Sequence, residues 1–213
     1  MGFLFPKIYP ILDSSCIPST GRATFLRTLG ASLADAGVSL MEYRNKNGTD
    51  AEILADAAIL RTAMKAPTIK LILDDRVDLI ERSGFDGAHV DAGDLTPSAA
   101  RRLLGPSRIV GTFGGSDALV PGFLEVPADY FSVGPVYATT TKQTSKASIG
   151  AEGVRRLREQ AGSKAVLVAV GGITLETAPL VLAAGANTVA VSAAIFRTAE
   201  PAVEFRRWLE ALG

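Results

Sequence analysis

Eight short apolar, β-branched runs alternate with helical patterns along the whole chain, and this alternation restricts the fold more than any other feature. The runs lie near residues 8–12, 38–43, 69–73, 87–90, 108–111, 130–133, 165–170 and 188–191. Helical patterns fall between and after them, over 24–36, 51–65, 76–83, 98–104, 151–160, 175–184 and 203–212. Repeated βα units specify a parallel sheet with helices packed on it, and strands covered on both faces read as unbroken apolar runs. A doubly wound open sheet shares the alternation and differs mainly in closure. Eight units within 213 residues fit one α/β domain over 1–213, a (β/α)8 TIM barrel.

Local punctuation supports these breaks. Gly37, Gly84 and Gly185 each follow a helical run and precede a strand, as helix-ending glycines do. Thr96 followed by Pro97 reads as an N-cap and a first-turn proline. Gly114, Gly115, Pro121 and Gly122 leave little room for a helix in the fifth unit. Residues 177–196 carry no charge, yet Pro179, Gly185 and Asn187 divide them into a short buried helix and a strand rather than a membrane span. The apolar start is broken by Pro6, Lys7 and Pro10 and has no export-signal pattern.

Lys and Arg total 22 and Asp and Glu total 22, so no overall field would hold nucleic acid or an anionic membrane surface, and any anion site must be local. Cys16 is the lone cysteine; it permits no intrachain disulfide, suits a reducing cytoplasm and is expected to be inert.

In barrels the reactive groups sit at the carboxyl ends of strands, and the polar clusters here fall at those positions. After the second strand, Glu42, Arg44 and Lys46 are spaced by two and share one side of an extended segment, bringing two cations to the barrel mouth. The third strand ends in Asp74 and Asp75, and the fourth runs into His89, Asp91 and Asp94. Carboxylates from neighbouring strands can share Mg2+ together with phosphate oxygens. His89 reads more readily as a hydrogen-bonded structural residue than as a catalytic one. The seventh strand is followed by Gly171, Gly172, Ile173 and Thr174, leading into a helix, and the eighth by Ser192. Bare backbone N–H groups there would form a phosphate cup. Between these poles, Thr139, Thr140, Thr141 and Lys142 occupy the long loop 134–148 after the sixth strand.

Taken in order, these elements resemble the thiamin-phosphate synthase family over nearly the whole chain. The family's glutamine-leucine-arginine-glutamate-lysine element corresponds to Glu42 through Lys46, and its asparagine-aspartate-arginine element to Asp74, Asp75 and Arg76. Its histidine-to-aspartate element corresponds to His89 through Asp94, and its threonine-rich loop to Gly134 through Lys142. The resemblance implies a barrel that binds a hydroxymethylpyrimidine diphosphate and a thiazole phosphate as small-molecule substrates. It implies Mg2+ on Asp75 and Asp94, with Arg44, Lys46 and Lys142 on the diphosphate. It also implies Gly172, Val191 and Ser192, helped by Thr139 to Thr141, on the thiazole phosphate. The family's chemistry is dissociative and needs no protein nucleophile.

Three positions depart from the pattern. Glu42 replaces a glutamine, Asp74 an asparagine, and Phe113 a serine whose hydroxyl Thr112 could partly replace. Two added carboxyl groups should repel a diphosphate unless a further cation is bound, a carboxyl is held protonated, or the ligand differs. Rival readings are a paralogue resembling the thiazole tautomerase, which transfers protons without metal, and a phosphate-binding barrel without turnover.

Overall fold

Pairing between successive βα units decides whether such a chain closes. The computed structural model describes residues 3–91, 95–139 and 146–213. Its strands are β1 (Ile8–Asp13), β2 (Leu40–Arg44), β3 (Lys70–Asp74), β4 (Gly87–Val90), β5 (Ile109–Gly115), β6 (Tyr130–Val133), β7 (Leu167–Val170) and β8 (Thr188–Val191). They pair in chain order, all parallel, and β8 returns to β1 through Ile8 opposite Val189 and Pro10 opposite Val191. That last pairing is what separates the closed barrel from the open sheet.

Around the barrel run α1 (Arg22–Asp35), α2 (Asp50–Ala63), α3 (Ile80–Ser83), α4 (Pro97–Leu104), α5 (Gly150–Ala161), α6 (Ala178–Ala183), α7 (Ala193–Phe196) and α8 (Pro201–Leu212). Thr49 and Glu52 form a reciprocal capping box at the start of α2. The Thr96 hydroxyl accepts from Ala99 N at the start of α4, as its position before Pro97 predicts. Gly37, Gly84 and Gly185 all have positive φ. The segment expected to be helical over 76–83 is a 3-10 turn (Val77–Leu79) followed by one α turn, and among the described residues the fifth unit carries only the 3-10 turn Phe123–Glu125. No helix among the described residues is long and apolar enough to cross a membrane, and residues 177–196 divide into α6 and β8 with a turn between.

Strand alternation divides the buried residues into two layers. Met41, Tyr43, Leu71, Leu73, Ala88, Val90 and Phe131 face outward into the large core beneath the helices. Tyr9, Leu40, Ile72, Ile109, Tyr130, Val168 and Ala190 point inward and fill the barrel, with Phe3 and Phe5 packed against them. The ring of Phe5 lies 5.3 Å from that of Tyr130. Tyr130 reaches across the interior because β5 presents Gly111 opposite it; a Cβ there would come within 2.0 Å of the tyrosine ring.

The β2 exit is braced from outside the barrel. Asp56 on α2, buried at 4% exposure, accepts from Arg22 Nε at 3.0 Å and from the Tyr43 hydroxyl, and Asn45 Nδ2 donates to Tyr43 at 3.1 Å. Tyr43 is pushed above its ordinary pKa by burial and by the Asp56 carboxylate, so the phenol keeps its proton for this bond. Removing Asp56 would strand a guanidinium and a phenol. Asp56→Ala is therefore expected to cost about 3 kcal/mol of unfolding free energy, measured by urea denaturation.

Candidate active site

A cavity of about 420 Å³ opens at the carboxyl ends of the strands, lined from all eight of them and from the loops that follow. The inward phase of β2 places both Glu42 and Arg44 on its wall; the same phase carries Asp74 from β3, His89 and Asp91 from β4, and Phe113 from β5.

At one pole, cations and carboxylates interlock. Arg44 pairs with Asp13 through Nη1, and its Nε lies 3.3 Å from Asp74 Oδ2. Lys46 Nζ lies 3.2 Å from the same Asp74 oxygen and also pairs with Asp75. Burial works to raise the Asp13 pKa, but the hydrogen bond from Ser15 and the Arg44 guanidinium outweigh it and hold the group below its usual value. Asp75 has φ +60°, the only non-glycine residue with positive φ among those described. Such strain at a strand end is a mark of functional positions. Asp75 N donates to the His89 carbonyl at 2.7 Å, which locks the turn.

Two buried carboxylate oxygens at this pole, Asp74 Oδ2 and Asp75 Oδ1, have no hydrogen bond among the described residues. For Asp74 Oδ2, both cations lie within ion-pair reach but neither makes a well-directed hydrogen bond to it. Leftover acceptors on adjacent carboxylates suit a hard cation with oxygen ligands. Asp94, the expected partner of Asp75, lies outside the described residues, and among those described no group of three or more His, Cys, Asp or Glu side chains is arranged to hold a metal.

At the other pole, Gly171 (φ +102°) and Gly172 (φ +61°) turn the chain after β7. Their space is taken up by backbone: a Cβ on Gly172 would meet the Ala138 carbonyl oxygen at 2.2 Å. Only glycine lets the two loops approach so closely. The helix expected over 175–184 begins instead at Ala178, because the Thr174 and Thr177 hydroxyls satisfy each other's backbone N–H groups in an intervening turn. The helix start that lines the cavity is that of α7, which sequence periodicity did not reveal; Ile195 N and Phe196 N donate to the Ser192 carbonyl, whereas the N–H groups of Ala193 and Ala194 that precede them lie too early in the helix for an intrahelical acceptor. Ser192 Oγ beside it is buried without a hydrogen bond among the described residues. Val191 lines the cavity while remaining packed in the outer core.

Across the floor between the poles runs a buried polar chain. The Tyr9 hydroxyl is 2.7 Å from Glu42 Oε2 and 3.1 Å from the Tyr130 hydroxyl, which is 3.1 Å from His89 Nδ1. Burial, then the charge of Asp74, pushes Glu42 up to about 8.

The structure thus brings Glu42, Arg44, Asp74, Thr139, Gly171, Gly172, Val191 and Ser192 to one cavity and joins Lys46 and Asp75 to its acidic pole. Thr140, Thr141 and Lys142 lie outside the described residues. One suggestion needs correction: Thr112 cannot replace the missing hydroxyl, because it faces away from the barrel interior and donates to the Val90 carbonyl at 3.0 Å. Phe113 takes the cavity position instead, with Lys146 Nζ 3.6 Å from its ring centre. Tyr9, Tyr130 and Ser132 also line the cavity and were not singled out from sequence, where an inward phase on β1 and β6 was the available signal; Lys146 lines it from the long loop 134–148 already suspected of function.

The family model described as thiamine monophosphate synthase matches residues 8–195. A thiamine-phosphate synthase of Koribacter versatilis is 36% identical over 192 residues, covering 90% of this chain and 90% of its own. One from Agrobacterium fabrum is also 36% identical, over 82% of this chain and 80% of its own. The solved thiamine phosphate pyrophosphorylase from Pyrococcus furiosus superposes with a TM-score of 0.79 at 26% identity, over 97% of both chains. The ordered motifs, the closed barrel and the match over most of the chain agree: this chain belongs to the thiamine monophosphate synthase family.

Proposed function

We propose that this chain joins hydroxymethylpyrimidine diphosphate to thiazole phosphate, giving thiamin phosphate and free diphosphate, with Mg2+ held by Asp75 and Asp94. Membership of the family makes it a transferase of thiamine biosynthesis. The observation that carries the fuller reading is the two-poled cavity, with cations and leftover carboxylate oxygens at one end and glycine and helix-start amides at the other. A ligand with a phosphate group at each end fits that distribution.

Arg44, Lys46 and Lys142 would hold the departing diphosphate, and Gly171, Gly172, Ser192 and the first turn of α7 the thiazole phosphate. Bound Mg2+ would neutralise negative charge developing on the leaving group. In the coupling, the bond from the pyrimidine methylene carbon to the diphosphate oxygen breaks with its electron pair leaving on oxygen. The thiazole nitrogen lone pair then forms the new C–N bond. No side chain needs to act as nucleophile; the chain's tasks are to orient both partners, hold charge and keep out water. Asp74 belongs to the same charge arrangement, since its carboxylate sits between Arg44 and Lys46 rather than facing the diphosphate unpaired. A cytoplasmic location suits these substrates and the lone Cys16.

The test is an assay with both purified substrates, with and without Mg2+. Thiamin phosphate is expected only with the metal and its formation should stop on chelation. Binding of both ligands without product would favour a non-catalytic barrel, and metal-independent coupling would remove Asp75 and Asp94 from the proposed role.

A further inference from the structure

Phe113 stands on the cavity wall just before the β5–β6 ladder shifts register between Phe113 and Gly115. An irregularity of that kind re-aims a strand side chain. The ring is half-buried and has no hydrogen-bonding atom of its own. Lys146 approaches it from the loop after β6. Residues 146–148 are exposed, and a lysine there would ordinarily extend into water; its ammonium instead turns inward, lines the cavity and lies 3.6 Å from the Phe113 ring centre.

Arg44 and Lys146 are the two arginine or lysine side chains that the cavity wall receives from the described residues. Their settings differ. Arg44 is engaged by Asp13 and Asp74, and Lys46 beside it by Asp74 and Asp75, so carboxylates already match much of that charge. A ring face attracts an ammonium through its quadrupole and fixes its position without supplying a countercharge. Asp74 and Asp91 bring carboxylates to the same wall, so a polyanion entering the cavity gains from each further cation. Phe113 follows Thr112, which lies opposite Val90, and this puts the ring beside the β4 exit and Asp91. The whole of β6 separates it from the glycine turn after β7. Lys146 therefore faces the carboxylate pole rather than the glycine pole.

We propose that Phe113 is a seat for the Lys146 ammonium, and that the seated ammonium is a ligand for phosphate oxygens of the departing diphosphate. Lys146 touches the substrate, and Phe113 is a positioning residue that acts through it. A lysine on an exposed loop loses rotamer freedom when it grips an anion, and a ring that already holds the ammonium in place reduces that loss. The identity of the anion rests on the pyrimidine-diphosphate reading above; the seat itself does not.

Calorimetric titration with inorganic pyrophosphate in Mg2+-containing buffer tests both parts without turnover. Lys146→Gln is expected to weaken pyrophosphate binding about tenfold, the size of one lost charge-assisted hydrogen bond. Phe113→Leu keeps apolar bulk but removes the ring face, and should weaken it about fivefold. Phe113→Tyr keeps the ring face and should bind within about twofold of wild type. In the double variant of Phe113→Leu and Lys146→Gln the loss should be no larger than for Lys146→Gln alone, because the ring acts through the lysine. Affinity for thiazole phosphate should stay the same throughout, and urea midpoints report whether each variant is folded. Unchanged pyrophosphate affinity in Lys146→Gln, or a wild type that binds no pyrophosphate, would overturn the ligand role. Additive losses in the double variant, or a Phe113→Tyr as weak as Phe113→Leu, would overturn the seat. A loss that falls on thiazole phosphate instead puts the ammonium at the other pole and overturns the assignment to the diphosphate. Lys146-dependent pyrophosphate binding in a chain that couples no substrates would uphold this proposal while removing the synthase reading, so the two failures are distinct.

Discussion

Asp75→Asn is expected to lower kcat for coupling by about 10²–10³-fold while leaving the protein as stable as before or more so. Those two outcomes rarely accompany loss of a buried charge, and their combination separates a functional aspartate from a structural one. Asp75 adopts φ +60°, a conformation that asparagine tolerates better than most residues, and its Oδ1 is buried without a hydrogen bond among the described residues. Removing the charge therefore relieves a desolvated oxygen, while Lys46 keeps Asp74 as a partner at 3.2 Å. A gain of about 1 kcal/mol is the expected size, read from urea denaturation beside steady-state kinetics. If activity survives and stability falls by several kcal/mol, Asp75 is the ion-pair partner of Lys46 and nothing more.

Gly172→Ala should damage the phosphate pole and the stability of the fold together. The added methyl meets the Ala138 carbonyl oxygen at 2.2 Å and the Tyr137 carbonyl carbon at 2.8 Å, both backbone atoms that no rotamer change can move aside. Left-handed φ adds about 1 kcal/mol for any residue with a Cβ. Relief requires the 137–138 backbone to shift, and that backbone leads directly to Thr139. We expect a loss of about 2–4 kcal/mol in stability and a rise of at least about tenfold in KM for thiazole phosphate. Unchanged affinity in a folded variant would show that the phosphate is held elsewhere.

How much of this was legible beforehand depends on the range over which each feature is determined. All eight strands fall where apolar runs and turn residues locate them, since a strand's phase, a helix's cap and a terminal glycine are properties of a few adjacent residues. The polar strand ends follow for the same reason: once β2 has its phase, Glu42 and Arg44 must share a face. Short elements escaped this reading. The single turn of α7 is too brief to show periodicity, and the threonine pair at 174 and 177 delayed α6 by a local hydrogen-bond preference that apolar spacing does not register.

The amino-acid order by itself determined the succession of βα units, the inward and outward alternation, and which strand ends carry charge or glycine. Closure of the cylinder decided the rest, because only the strand stagger sets which inward side chains meet at one height. Tyr9 finds Tyr130 across 121 residues and Glu42 across 33, and Phe113 meets Lys146 from a separate loop. Thr112 is lost to the outer layer although it adjoins a cavity residue. Contacts between strands that are remote in the chain arise from three-dimensional register, which no local pattern encodes.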